Sequence, residues 1–163
     1  MVEACRAAGL PLVMAGSMGA EEKNWLDRHG EGAVWRGKID RAGVAGLLRE
    51  SSVGICLLHP EPNYLRALPT KLFEYMAAAL PVVTSDLPVS KQIVEQAGCG
   101  LVVANNDRQA LEEALSQLAA DGAEARAMGM RGRAAASRLY NWEHDCAGLV
   151  DLYERLSIQA KPG

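Results

Sequence analysis

LPTKLFEYMAAALPVVTSD, residues 68–86, combines a helix-forming stretch with a short apolar run that follows it at once. Pro69 has a backbone φ suited to the first turn of a helix, and the residues up to Ala78 are mostly good helix formers. The run 81–84 is apolar and β-branched, as buried strands are. The stretch therefore predicts a helix over 69–78 that leads directly into a buried strand.

The same alternation of strand and helix extends along the chain in both directions. Apolar runs bounded by Gly, Pro, Asn or Asp predict further strands over 12–15, 33–36, 53–58 and 101–103. Segments with helical periodicity predict helices over 20–29, 41–50 and 89–97, and the end of another helix before Gly9. Strands this apolar suit a parallel sheet covered on both faces, so the fold class is α/β.

Only helices are expected after the last strand. Four apolar residues at helical spacing predict an amphipathic helix that packs on the sheet and ends near Gly122; they are Leu111, Ala114, Leu115 and Leu118. Two further helices are predicted over 124–138 and 142–157. The last one carries an apolar stripe, from Trp142 to Leu156, which needs a surface to cover it.

Composition favours one domain and argues against several kinds of partner. The chain has 163 residues, 49% of them hydrophobic, which suits a single core over residues 1–158 with a disordered tail at 159–163. Its 17 Lys and Arg against 20 Asp and Glu give a net charge of −3, which argues against nucleic-acid binding. No stretch suits a signal peptide or a membrane span, so we expect a cytoplasmic protein with at most peripheral contact at the inner membrane face.

The cysteines predict neither a disulfide framework nor a metal site. They are scattered along the chain without metal-ligand spacing, and they are Cys5, Cys56, Cys99 and Cys146. A free cysteine packs like a small hydrophobic residue, so we expect buried, reduced thiols and no bound metal.

The loop and helix after the longest predicted strand form the best candidate site. In an open parallel sheet, ligands bind beyond the carboxyl ends of the strands. The free N–H groups of the helix that starts near Pro69 can receive a phosphate, and Lys71 adds a positive charge in the same turn. Glu74 can accept hydrogen bonds from two hydroxyls, such as those of a ribose. The alternative is an exposed Lys71–Glu74 ion pair of little energetic value.

Residues 68–86 resemble the donor-site helix and following strand of glycosyltransferase family four, the group 1 glycosyltransferases, which have two Rossmann domains. Other stretches resemble the C-terminal domain of that family in the same order and spacing. They are LPLVMAGS (10–17), VWRGKI (34–39), SSVGICLLHP (51–60), IVEQAGCGLVV (93–103) followed by Asp107, and YNWEHD (140–145). Because nearly the whole chain is covered, the resemblance implies a Rossmann-like sheet with a donor-binding role.

The resemblance also implies the ligand and its contacts. The donor would be a nucleoside diphosphate sugar, UDP- or GDP-linked, with no further cofactor. Glu74 matches the second glutamate of the family's Glu-x7-Glu motif, which binds the nucleotide ribose, and the helix start with Lys71 would hold the diphosphate. The remaining donor-site residues would be Arg66, Leu68, Pro69 and Thr70 near the sugar and diphosphate, and Gly16, Ser17, Arg36 and Gly37 around the nucleobase.

Two residues beside this site have a functional and a structural interpretation. His59, at the end of the predicted 53–58 strand, is placed to touch the donor phosphate, or is a structural or exposed histidine. Asp86 follows the 81–84 strand and is expected to cap the next helix, and the alternative is a contact with the sugar.

The sequence departs from the family pattern in two places. The first glutamate of the motif is replaced by Arg66, whose guanidinium suits a diphosphate or an acidic sugar, or lies in solvent as a loop residue. Family members also begin this domain with a strand bearing an Arg, followed by a Lys, and residues 1–8 match only the helix after them. Because that strand is central in the order 3-2-1-4-5-6, its absence is expected to leave unpaired sheet edges.

Two functions follow, and they belong to different classes. The first is the donor-binding portion of a retaining, metal-independent hexosyltransferase of glycan biosynthesis, which would be inactive alone because the N-terminal domain is missing. No catalytic residue is assigned. The second is a non-catalytic interaction module that pairs with a partner glycosyltransferase, or with itself, through the open sheet edge and the last helix.

Overall fold

The structure, a computed structural model, describes residues 1–159, with side chains described through residue 156. Helices and strands alternate as far as Val103, and only helices follow, which confirms the α/β class. The strands are β1 (Leu12–Met14), β2 (Ala33–Trp35), β3 (Gly54–Cys56), β4 (Val82–Ser85) and β5 (Gly100–Val103). The helices are α1 (Val2–Ala7), α2 (Ala20–His29), α3 (Arg41–Glu50), α4 (Thr70–Ala77), α5 (Pro88–Ala97), α6 (Arg108–Ala120), α7 (Gly122–Leu139) and α8 (Trp142–Gln159).

The strands form two parallel sheets. β1 pairs with β2, Val13 lying opposite Val34, and β3, β4 and β5 pair in that order, with Ile55 opposite Val83. No backbone ladder joins β1 to β3 in the part of the chain that the structure describes. Among the described residues β1 and β3 therefore each keep one open edge, as the sequence predicted, and we call the space between these edges the strand gap.

The open edge also explains why β3 is shorter than the predicted strand over 53–58. Its ladder with β4 ends at Cys56, and no second neighbour extends the pairing on the other side. Beyond that point the chain is held by a side chain instead: the Leu58 N–H donates to Ser85 Oγ at 2.7 Å, and Ser85 Oγ donates to the Leu58 carbonyl at 2.9 Å.

Two apolar clusters hold the elements together on opposite faces of the three-stranded sheet. Val83 belongs to one cluster and its neighbour Val82 to the other, because successive side chains of a strand point to opposite faces. The first cluster bridges both sheets through α1 and α6, with Leu12 and Leu115 among its members. The second packs α4, α5 and α7 on the three-stranded sheet and includes Met76.

Helix α7 approaches α4 closely because the buried residues of α7 are small. Its buried residues are Ala125, Gly129, Gly132, Ala135 and Ala136, which recur at helical spacing. A Cβ atom added at Gly129 would lie 2.0 Å from the backbone oxygen of Ala79, in the turn between α4 and β4. Glycine is therefore required at this contact.

Several predicted helix boundaries are wrong by a few residues. Gly122 starts α7, because Asp121 caps that helix and accepts hydrogen bonds from the N–H groups of Ala123 and Glu124. Asp86 does not cap α5: the N-cap is Leu87, and Asp86 forms an ion pair with Lys91 at 3.1 Å. The expectation of capping at Asp86 is therefore wrong.

Helix α8 leaves its apolar stripe uncovered. Trp142 is 71% exposed and Leu156 52% exposed, so both ends of the stripe are uncovered within the described residues. The helix ends at Gln159, one residue into the predicted tail, and residues 160–163 lie outside the described residues. Over residues 1–159, the length and apolar character that a membrane crossing needs are not met by any helix.

Candidate functional site

A cavity of about 400 Å³ lies beyond the carboxyl ends of β3, β4 and β5, and we call it the carboxyl-end cavity. Its lining includes His59 after β3, Ser85 at the end of β4, and Asn105 after β5, with Lys71 contributed by α4. Ligands of open parallel sheets bind at this edge. Of the sequence-predicted residues, His59 and Lys71 are brought together here.

Ser85 positions the start of the loop that carries His59. The Ser85 side chain is almost fully buried and exchanges two hydrogen bonds with the backbone of Leu58, the residue before His59. Thr84, one residue earlier, donates its hydroxyl to the Cys56 carbonyl at 3.0 Å. These side-chain bonds tie β4 to the end of β3 and fix where the loop leaves the sheet.

Helix α4 has an open N-terminus that points to the same region. Pro69 is its N-cap, with φ −68° and ψ 115°, and none of the described side chains caps the first turn. Buried Leu72 and Met76 anchor the opposite side of the helix in the core. The Leu72 N–H donates to the Pro69 carbonyl at 2.9 Å, so the N–H groups that a rigid element presents to an anion are those of Thr70 and Lys71.

The two charged residues of α4 are exposed and unpaired within the described chain. Neither Lys71 nor Glu74 forms an ion pair or a side-chain hydrogen bond with residues 1–156. The alternative interpretation, an exposed Lys71–Glu74 ion pair, is not what the structure shows. Both side chains are free to meet a ligand.

The strand gap forms a second cavity, of about 550 Å³, that reaches from α4 to β1 and β2. Lys71 and Glu74 line it on one side, and Met14, Ala15 and Arg36 line it on the other. Lys71 therefore borders both cavities. Arg36, which the sequence predicts to lie near the nucleobase, lines the same cavity as Glu74, which the sequence predicts to bind the ribose.

The two turns predicted to surround the nucleobase are direct neighbours. The Gly16 N–H donates to the Gly37 carbonyl at 2.8 Å, and Trp35 Nε1 donates to the Gly16 carbonyl at 3.0 Å. Both glycines have positive φ, +130° and +69°, which side-chain-bearing residues rarely adopt. Ser17 follows on the surface.

The loop before α4 does not bring its predicted residues into either cavity. Arg66, Leu68 and Thr70 are exposed, Leu68 by 62%, and none of them lines the carboxyl-end cavity or the strand gap. The loop is shaped by its own turns, in which the Tyr64 N–H donates to the Glu61 carbonyl at 2.8 Å.

Residues 2–121, well over half of the chain, match the family described as "Glycosyl transferases group 1". The chain belongs to this family.

Individual relatives of this group 1 chain agree with that assignment. It is 29% identical over 133 residues to alpha-maltose-1-phosphate synthase of Mycolicibacterium smegmatis, a match that covers 77% of this chain and 33% of the relative. The solved structure of sucrose-phosphate synthase from Thermosynechococcus elongatus superposes with a TM-score of 0.79 at 27% identity, over 98% of this chain and 43% of that one.

A further solved structure, AviGT4, described as a glycosyltransferase involved in avilamycin A biosynthesis, shares the fold. Its TM-score is 0.69 at 22% identity, over 98% of this chain and 46% of that chain. The group 1 chain thus spans less than half the length of each of these relatives.

Sequence reasoning missed two residues of the carboxyl-end cavity of this group 1 chain. Ser85 directly follows the apolar run 81–84, and a hydroxyl at the carboxyl end of a buried strand is itself a signal of the site edge. Asn105 donates through Nδ2 to the Asp86 carbonyl at 3.3 Å, and its Oδ1 is buried without a hydrogen-bond partner in the described chain. That oxygen can accept from a ligand hydroxyl or a water.

The thiols of this group 1 chain are structural. Burial raises the pKa of Cys56, and it raises the pKa of Cys99 to about 11, so both are protonated at neutral pH. Cys5 is also buried and unbridged, whereas Cys146 is partly exposed, so the expectation of a buried thiol is wrong at Cys146. Within residues 1–156, no three His, Cys, Asp or Glu side chains are grouped so as to hold a metal ion.

Proposed function

We propose that the chain is the donor-binding, C-terminal portion of a retaining glycosyltransferase that uses a UDP- or GDP-linked sugar, with one donor-binding domain over residues 1–158. The observation that carries this proposal is the start of α4. There, a helix start without a side-chain cap from the described residues carries Lys71, which lines both cavities, and Glu74, which lines the strand gap, and neither charge is paired within the described chain. Membership of the group 1 family supports the same donor class.

The donor diphosphate would bind at the first turn of α4. Its N–H groups and the positive end of the helix dipole favour an anion, and the Lys71 ammonium adds a full positive charge. As the bond to the sugar breaks, negative charge grows on the departing nucleoside diphosphate. Groups that are already fixed in place stabilise this charge without reorganising, so they act on the transition state.

Glu74 would bind the nucleotide ribose, because a free carboxylate can accept hydrogen bonds from both ribose hydroxyls. The nucleobase would then lie toward the Gly16 and Gly37 turns, with Arg36 at the edge of the same space. Arg66 would lie nearest the donor sugar.

Fewer observations bear on the remaining donor contacts. His59 would contact the phosphates from the carboxyl-end cavity, and the backbone from Leu68 to Thr70 would follow the sugar and diphosphate. We assign no catalytic base. The isolated chain would bind donor without transferring sugar, because acceptor contacts would come from a further glycosyltransferase domain.

A cytoplasmic location with at most peripheral membrane contact belongs to the same proposal. Helix α7 carries four arginines, whose charge would favour an anionic membrane surface: Arg126, Arg131, Arg133 and Arg138. Arg131 is occupied within the fold, donating to the Gly98 carbonyl at 2.7 Å and to Glu124 at 2.6 Å. Fewer cations are left for an anionic membrane surface.

Calorimetric titration with UDP, GDP, UDP-glucose and GDP-mannose tests the proposal. Binding by the wild-type chain should fall about 10- to 100-fold in Glu74→Ala, because a hydrogen bond to a charged group contributes about 1.5–3 kcal/mol. Lys71→Ala should weaken binding of the diphosphates by a similar factor. The loss of affinity should be larger at low salt, where charges are screened less.

Glu95→Ala and Arg133→Ala are the matched controls, because both residues are exposed and lie on other helices. They should bind like the wild type. Absence of binding to a folded wild-type chain, or equal losses in Glu74→Ala and Glu95→Ala, would overturn the donor-site proposal.

A second candidate function, the non-catalytic interaction module, is favoured by the uncovered stripe of α8. Trp142, Leu149 and Leu156 are each about half exposed or more, which is a cost in water unless another surface covers them. Sedimentation velocity over a range of concentrations distinguishes the two functions: self-association by a chain that binds no nucleotide supports the module.

A further inference from the structure

The turn that follows β1 is held by a side chain from the next strand. Trp35, the last residue of β2, donates its indole N–H to the Gly16 carbonyl at 3.0 Å. Trp35 is half-buried, and the bond joins residues that are 19 positions apart in the sequence. No other side chain among residues 1–156 forms a hydrogen bond with the backbone of residues 15–18. Among side chains, the indole of Trp35 is therefore what fixes this turn.

Both backbone groups of Gly16 are engaged. Its carbonyl accepts from Trp35, and its N–H donates to the Gly37 carbonyl at 2.8 Å. Gly16 has a φ of +130° and Gly37 a φ of +69°, conformations that residues with a Cβ atom rarely adopt. Glycine is the most flexible residue, so this turn would sample other conformations if one of the two bonds were lost.

One side of the contact between Gly16 and Gly37 is open. A Cβ atom added at either glycine would have no heavy atom of the described residues within 4 Å. Glycine is therefore needed at both positions for its backbone conformation rather than for lack of space. Without side chains in the way, a flat ring can approach the backbone closely on this side. The proposed donor site places the nucleobase here.

The indole ring of Trp35 is itself held in place. The Lys23 ammonium, on α2, lies 5.7 Å from the centroid of the ring, within the range of a cation–π contact. Leu26 of α2 and Ala33 of β2 line the same hollow as the ring. The ring thus connects the turn to both neighbouring elements. Because the ring is fixed, its N–H can determine where the Gly16 carbonyl lies.

We propose that Trp35 is a positioning residue of the donor site: its indole N–H holds the Gly16 carbonyl, so that the open side of Gly16 and Gly37 is presented to the nucleobase. Trp35 acts through the turn and does not contact the base. This inference rests on the proposed function and deepens it, because it assigns a residue to the part of the affinity that depends on the base. The diphosphate, bound at the start of α4, should not depend on Trp35.

Trp35→Phe tests the proposal, because it keeps an aromatic ring beside Lys23 but removes the indole N–H. Calorimetric titration compares the nucleoside diphosphate that binds the wild-type chain better, UDP or GDP, with inorganic pyrophosphate, which has no base. Affinity for the nucleotide should fall about 3- to 10-fold, the effect of one neutral hydrogen bond. A turn that is in place in only a fraction of the molecules lowers the affinity by that fraction. Affinity for pyrophosphate should not change.

Trp25→Phe is the matched control. Trp25 lies on α2, is 44% exposed, and forms no hydrogen bond through its indole N–H with the described residues. This variant should bind both ligands like the wild type. Hydrogen exchange gives a second readout: the Gly16 amide should exchange faster in Trp35→Phe and at the wild-type rate in Trp25→Phe.

Three outcomes in Trp35→Phe would overturn the proposal. Equal losses of nucleotide and pyrophosphate affinity would mean a general loosening of the domain. Unchanged nucleotide affinity with faster exchange at Gly16 would mean that the turn does not contact the base. An unchanged exchange rate at Gly16 would mean that the indole does not hold the turn. In each case the wild-type chain still binds nucleotide, so the donor-site proposal stands, whereas a folded wild-type chain that binds no nucleotide overturns both.

Discussion

Gly129→Ala tests whether α7 holds α4 in place. The added Cβ would lie 2.0 Å from the Ala79 oxygen, whereas real Cβ atoms essentially never come closer than 3.0 Å to a neighbour. The contact must therefore open by about 1 Å, and both partners resist. Gly129 lies within an 18-residue helix, and Ala79 already has a strained φ of +59°.

Two opposing effects set the size of the change. Alanine is favoured over glycine inside a helix by about 1 kcal/mol. Overpacking costs about 1–3 kcal/mol, and the upper end applies here because the opposing atom is backbone rather than the end of a flexible side chain. The net loss should be about 2 kcal/mol, which lowers the Tm of a domain of this size by about 4–8 °C.

Gly46→Ala is the matched control for this substitution. Gly46 also lies inside a helix, α3, but the nearest atom to its added Cβ is a flexible Arg49 nitrogen at 3.9 Å. The helix preference then acts alone, and stability should rise by about 0.5–1 kcal/mol. Urea unfolding followed by circular dichroism measures both variants.

Opposite signs for the two variants support close α7–α4 packing. If Gly129→Ala were as stable as the wild type while Gly46→Ala gained stability, the contact at Ala79 would not be tight and the reasoning would be refuted. Because α4 carries Lys71 and Glu74, Gly129→Ala should also weaken nucleotide binding at temperatures where it remains folded.

Two further predictions concern buried polar groups. Ser85→Ala removes both hydrogen bonds to the Leu58 backbone and leaves those groups unpaired, so urea unfolding should show a loss of about 1–3 kcal/mol; an unchanged midpoint would contradict that role. Burial raises the pKa of Cys99 in the native state to about 11, against an ordinary value of 9.0. As the pH rises from 9.0 to about 11, the thiol ionises in the unfolded chain but keeps its proton in the native state. Ionisation stabilises the unfolded state, so the free energy of unfolding should fall over this range. Cys99→Ala should reduce that slope without abolishing it, because burial raises the pKa values of Cys5 and Cys56 as well; an equal slope in the variant would contradict this account.

The elements of the fold could be predicted because they depend on local patterns. Apolar runs such as the one that became β4 are buried on both faces, and their composition shows it directly. Boundaries were less accurate because they depend on tertiary partners. Asp86 has the right residue type for a cap, but its carboxylate pairs with Lys91, and α5 begins with Pro88 without a side-chain cap.

The site was only partly predictable for a similar reason. Spacing placed Lys71 and Glu74 on one helix, but it did not show whether the two charges pair with each other. Asn105 could not be predicted from spacing because it lies in a turn far from Lys71 in the sequence, and only the pairing of β5 with β4 brings it to the cavity. The contacts of the α7 glycines could not be predicted either, because a glycine inside a helix does not indicate which part of the chain packs against it.

The residues that stabilise α4 are different from those that would bind the donor. Leu72 and Met76 are fully buried, and the Gly129 contact fixes the turn that follows the helix. Lys71 and Glu74 add nothing comparable, because exposed charges without partners contribute little to folding. A rigid helix that presents unpaired charges beside two cavities has its binding groups preorganised, so ligand binding loses little free energy to ordering them. This separation is why substitution of Glu74 should report on binding alone, whereas substitution of Gly129 should change both stability and binding.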